Sequence, residues 1–191
     1  MQASRTREFL GFLAGVASTH FGVTLSAEEL TRHALHVERG LIRVDADEAT
    51  YPLHVIVRYR LERALVVGDL DVADLPGAFR DAMAQVVGIR PDTDRDGCLQ
   101  DVHWPSGAFG YFPSYTLGAM AAAQLFAAAK QQHPGLLGEL SRGEFTSLRD
   151  FLRTNVHEHG SRYDTNTVLE KATGKPLDAD ALLAHLQTRY L

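Results

Sequence analysis

Cysteine is almost missing from this chain: Cys98 is the only one in 191 residues. A lone thiol excludes an intrachain disulfide and suits a reducing compartment, so the cytoplasm is the expected location. Positive charge is also in short supply, with 19 Lys and Arg against 24 Asp and Glu and a formal net charge of −5. The cations are spread along the chain, which argues against nucleic acid and against an anionic membrane as partners. No stretch approaches the ~20 apolar residues of a membrane span. Arg5 and Arg7 precede a short apolar run as in a signal peptide. However, Glu8, the helical spacing of Phe9, Leu10, Phe12, Leu13 and Val16, and the lack of a small-residue cleavage site predict an ordinary amphipathic helix.

Hydrophobic residues make up 45% of the chain and charged residues 23%, the balance of a soluble globular fold. The length fits one domain over residues 1–191. Alternating strand patterns and internal repeats are both lacking, and helical periods joined by short punctuated loops predict an all-α class. Helices are expected over Ser4–His20, Ala27–Glu38, Asp47–Val67 and Leu75–Val87. Ser26 with Glu29 forms a capping box for the second, and Gly68 closes the third. An Ala-rich helix, expected to be central, follows Pro113 and Ser114 and stops by Pro134. Further helices are expected at Leu136–Arg142, Phe145–Gly160, Asn166–Thr173 and Asp178–Tyr190.

Familiar catalytic signatures are lacking. The chain has nine His but no His-Glu-x-x-His, and neither the pair His33 and His36 nor the run His157-Glu158-His159 has a recognised metal-ligand spacing. Ser106 lies outside any Gly-x-Ser-x-Gly elbow, and no phosphate-binding glycine loop is present. One stretch is unusual. GCLQDVHWPSGAFGYFPSY, from Gly97 to Tyr115, gathers a His, an Asp, the only Trp, the only Cys, two Tyr and two Phe. An imidazole and phenols can donate hydrogen bonds to an oxyanion, and Tyr111 and Tyr115 share a helical face if the helix begins that early. The same residues also suit a packed aromatic corner at a helix entry.

IRVDAD (Ile42–Asp47) and GCLQDVHW (Gly97–Trp104) resemble two signature motifs of the carboxypeptidase Taq family of zinc metallocarboxypeptidases. TYPLHVIVRYRLERALVVGDL, LPGAFRDAM, GIRPDTDRDG, GAFGYFPSYTLGAMAAAQLF and GEFTSLRDFLRTNVHEHGSRY resemble that family's C-terminal region in the same order. The resemblance implies the C-terminal part of a zincin-like helical peptidase fold. It implies zinc in the intact family but no cofactor held by this chain, because the family's His-Glu-x-x-His helix and third-ligand Glu lie upstream of the matched part. SRTREFLGFL is similar to the segment just after that third ligand.

By the same resemblance, His103 and Tyr115 are the catalytic residues, donating to the oxyanion of a hydrolysed peptide. Tyr111 and Arg90 are the substrate-binding residues, Arg90 taking the free carboxylate of a peptide C-terminus. Gln100 and Asp101 are expected to support His103 from behind. The IRVDAD acids Asp45 and Asp47 are read as structural, and Trp104 as packing. The expected partners are peptide C-termini, a second copy of the chain, or a complementary N-terminal half. The chain alone is expected to be inactive. The alternative is a non-catalytic helical module, a pseudo-peptidase that binds peptides or a partner helix.

Overall fold

In the computed structural model, which describes residues 2–191, the described residues form helices and no strands. The α-helices are α1 (Arg7–Phe21), α2 (Ala27–Ala34), α3 (Tyr51–Val67), α4 (Leu75–Val86), α5 (Pro113–Gln132), α6 (Leu136–Leu140), α7 (Thr146–Asn155), α8 (Thr165–Thr173) and α9 (Ala179–Tyr190). They fall into two compact units, one formed by the chain through His36 with Ala119–Leu191, the other by Val37–Gly118.

In the first unit, helix starts are set by short polar caps. Thr6 accepts from the Phe9 amide, Asp164 from Thr167, and Asp178 from Asp180. Ser26 and Glu29 close the reciprocal capping box. The core consists of Phe126, Ala128 and Ala129 of α5, Leu136 and Leu140 of α6, and Phe151 of α7. Small side chains on α5 allow its neighbours to approach closely. Gln124, buried on α5, spreads its amide nitrogen over Thr173 Oγ1 and the carbonyls of Lys175 and Pro176, and accepts from the Asp178 amide. One amide thereby ties α5 to the turn between α8 and α9. Gly143 has φ 73°, and the Phe12 ring occupies the space a Cβ would need.

Several helices are shorter than their sequence periods. α2 ends at Ala34, and the following chain is diverted when Asp47 accepts from the Glu38 amide. α7 stops at Asn155, where Val156 takes φ −128°, and a short 3-10 turn, His157–His159, follows.

In the second unit, α3 packs against α4. Val57, Leu61, Phe79, Met83 and Val87 are buried together, with Leu53, Leu70, Cys98 and Trp104 around them. Each fully buried side chain of this kind is worth about 1.5–3 kcal/mol. Pro52 sits in the first turn of α3, where its missing N–H costs nothing. Gly68 ends the helix at φ 82°, with Asp69 donating back to the Ala64 carbonyl. Asp47 organises the turn before α3, accepting from the amides of Ala49 and Thr50 at 2.9 Å each. Its carboxyl is held below the ordinary range: burial pushes it up, but the backbone and Thr50 donors outweigh that. The start of α3 at Tyr51 instead of Asp47 follows from this competition. Among the described residues no helix is long and apolar enough to cross a membrane.

Candidate functional site

A stripe of polar residues runs along α3. His54, Arg58 and Glu62, spaced by four, lie on one helical face, and all three are buried. They form the floor on which the loop from Gly97 to Phe112 is built.

Glu62 anchors the far end of that loop. It accepts from Trp104 Nε1 at 2.9 Å and from the backbone amide of Gly110, where φ is 76°. The loop is then closed by a helical turn in which Ser106 and Ala108 donate to the carbonyls of Val102 and His103.

Arg58 anchors the near end. Its Nε donates to Asp101 Oδ2 at 2.5 Å, and its Nη1 caps the His54 carbonyl at 3.0 Å. Arg43, from the short turn Arg43–Asp45, takes the other oxygen of the same carboxylate. Nε and Nη2 both lie 2.8 Å from Asp101 Oδ1. Gln100 joins the arrangement by accepting from the Arg43 amide at 2.8 Å and donating to the carbonyls of Leu41 and Asp96. The two guanidiniums outweigh the burial that would raise Asp101, so its carboxyl sits below the usual range. Burial pushes Arg58 down, whereas Arg43 is raised because Asp101 and Tyr51 outweigh its own burial. Burial and the Arg58 cation lower His54 to about 4, and neither of its ring nitrogens makes a hydrogen bond of good geometry.

On this base sit the side chains expected to carry chemistry. His103 Nε2 lies 3.0 Å from the Tyr115 hydroxyl, while Nδ1 is buried without a hydrogen bond, 3.9 Å from Asp101 Oδ1. The Tyr111 ring stands 5.3 Å from that of Tyr115 and 5.7 Å from that of His103, and it is half exposed. Phe112, buried, stacks on His103 at 4.3 Å. Tyr115 is raised above the ordinary tyrosine range by burial, against the lowering effect of Arg43.

The cluster therefore brings together His103, Tyr115, Tyr111, Gln100 and Asp101. It does not bring in Arg90, whose exposed guanidinium is ion-paired with Asp81. Sequence reasoning passed over Arg43, Tyr51, Arg58 and Glu62 as site components. The one signal, for Arg58 and Glu62 alone, was their four-residue spacing with His54 along α3. Cys98 is half-buried, its thiol pushed up by burial and by Asp94, which leaves it a poor nucleophile.

Chemically, the His103–Tyr115 pair is a relay of hydrogen-bond donors. With a proton on Nδ1 facing Asp101, Nε2 accepts the phenol proton and Tyr115 has none to offer. With a second proton on Nε2, His103 donates to the phenol oxygen, and the Tyr115 O–H turns outward toward any oxyanion beside it.

The chain is all-helical and presents an imidazole and two phenols beside one another, and the comparisons give its family. The model of the carboxypeptidase Taq (M32) metallopeptidase family matches residues 1–190, and the chain belongs to that family. It is 40% identical over 186 residues to thermostable carboxypeptidase 1 of Thermus thermophilus, covering 97% of this chain and 35% of that protein. It is 41% identical to carboxypeptidase 1 of Bacillus subtilis over 166 residues. Among solved structures, Trypanosoma cruzi metallocarboxypeptidase 1 superposes with a TM-score of 0.96 at 36% identity, covering all of this chain and 40% of that one. The M32 carboxypeptidase of Deinococcus radiodurans does so at 0.93 with 41% identity, covering 98% and 39%. The chain thus spans little more than a third of the length of these relatives.

The family is one of metallopeptidases, but the residues here do not fit a metal centre. Among the described residues no group of three or more His, Cys, Asp or Glu is placed to hold an ion. His33, His36, His157 and His159 belong to no such group.

Proposed function

We propose that this chain provides the oxyanion- and substrate-contacting wall of a metallocarboxypeptidase that removes C-terminal residues from peptides. The ion and its ligands would come from the part of the family fold that these residues do not cover. The observation that carries this reading is the His103–Tyr115 pair, 3.0 Å apart and beside the Asp101 carboxylate, in a chain that has the family fold but, among the described residues, no metal-holding cluster.

In this reading Tyr115 and His103 stabilise negative charge on the attacked carbonyl, and Tyr111 lines the path of the substrate. Arg90 takes the terminal carboxylate after exchanging Asp81 for it, since a guanidinium fork matches a carboxylate. Oxyanion donors cannot replace a nucleophile, so the isolated chain has no turnover. The lone, half-buried Cys98 agrees with a cytoplasmic setting.

The test is hydrolysis of an N-blocked dipeptide in the presence of Zn²⁺ or Co²⁺. The chain is assayed alone and mixed with the part of the Bacillus subtilis relative that it does not cover. Turnover is expected only in the mixture, with sedimentation reporting a one-to-one complex or a dimer of such complexes. Robust turnover by the chain alone, or none in a mixture that does form the complex, overturns the reading.

A further inference from the structure

We infer that Arg43 is the positioning residue of the His103–Tyr115 pair, acting by two routes that meet at its guanidinium. This rests on the reading of that pair as the donor site.

The first route runs through Asp101. Oδ1 of Asp101 is the oxygen nearest His103 Nδ1, at 3.9 Å, and it is the same oxygen that Arg43 holds with both Nε and Nη2 at 2.8 Å. Oδ2 belongs to Arg58. Arg43 therefore keeps Oδ1 just out of hydrogen-bonding reach of the imidazole. Were it released, the carboxylate would close on Nδ1, turn the ring, and draw Nε2 off the Tyr115 hydroxyl.

The second route runs through Tyr115 itself. The Arg43 guanidinium carbon lies 5.2 Å from the centre of the Tyr115 ring, within cation–π range. Through Nη1 it also donates to the Tyr51 hydroxyl at 2.6 Å. Tyr51 in turn meets Tyr115 edge-on, with ring centres 6.1 Å apart at 82°. The face and one edge of Tyr115 are thus both set by Arg43. Arg43 is itself fixed by its backbone amide, which donates to Gln100 Oε1 at 2.8 Å. It is buried.

The arrangement also says which substitution leaves a folded protein. Removing Arg43 leaves Asp101 still bonded to Arg58, so no orphaned carboxylate results.

The experiment is NMR on the chain alone, labelled with ¹⁵N-His and ¹³C-Tyr, for wild type, Arg43→Met, Arg43→Lys and, as a control, Arg80→Met, which breaks the Arg80–Asp94 pair in the same unit. In Arg43→Met the His103 Nδ1–H signal moves downfield as it bonds to Asp101, and the cross-peak between the His103 and Tyr115 rings is lost. In Arg43→Lys an ammonium still reaches Oδ1, so the Nδ1 signal returns. The Tyr115 signals remain displaced, because lysine offers no planar face. Should Arg43→Met fail to fold, the lysine variant decides through Tyr115 alone. Unchanged His103 and Tyr115 signals in a folded Arg43 variant, or equal displacement in Arg80→Met, overturn the assignment. No peptide or metal is present in this measurement. Failure of the peptidase mixture therefore leaves it standing, and its own failure leaves the peptidase reading standing.

Discussion

Trp104 donates its indole N–H to Glu62 at 2.9 Å across 42 residues of sequence, and the same carboxylate receives the Gly110 amide. One buried side chain thereby closes both strands of the loop that carries His103.

Glu62→Ala removes the acceptor of two part-buried hydrogen bonds, at about 0.5–1.5 kcal/mol each. Glu62→Gln keeps one acceptor and turns an amide N–H toward the other donor, for roughly half that loss. Because Trp104 is the only tryptophan, urea denaturation followed by its fluorescence reports both stability and loop opening.

Stability falls with acid through His54. Its folded value of about 4 lies below the ordinary 6.5, so the imidazole stays neutral in the fold where the unfolded chain would already be protonated. The full contribution is present above pH 6.5 and is lost as pH falls toward 4, by about 3 kcal/mol from that difference. The depressed Asp101 carboxyl works in the same direction at lower pH, since its ion pairs fail as it protonates. Urea midpoints at pH 7 and 4.5 should differ in wild type and differ much less in His54→Phe.

Gly143→Ala combines a left-handed φ with a collision against the Phe12 ring. A loss of about 1–3 kcal/mol is expected, read as a lower thermal midpoint. Gly77→Ala, where nothing crowds the added carbon, should leave the midpoint unchanged or raised.

In the reconstituted peptidase, Tyr115→Phe and His103→Gln should each lower kcat by about 100- to 1,000-fold with little change in KM, the loss typical of one oxyanion donor. Arg90→Gln should act instead on KM, and only for substrates with a free C-terminal carboxylate. An amidated peptide separates the two roles.

The helical punctuation could be read from the sequence wherever the chemistry was local. The Ser26–Glu29 box, the Gly68 stop and the Pro52 start each depend on residues within one turn. Boundaries slipped where a distant side chain competed for a backbone amide, as Asp47 does for Glu38. The aromatic stretch around His103 was visible because its composition is unusual, and the resemblance to IRVDAD and QDVHW joined it to a family. The support beneath it was hidden for a physical reason. Arg43 and Arg58 meet Asp101 across 58 and 43 residues, a pairing that only the folded chain defines. The Asp81 partner of Arg90 was hidden in the same way, because sequence alone does not place the two side chains together.

Two guanidiniums share a single carboxylate beneath His103, and Glu62 adds a second buried carboxylate one helical turn beyond Arg58. Charges held this close in a poorly screened medium feel one another strongly. Removing any one of them therefore changes the field at the others, and the loop that carries His103 inherits the imbalance.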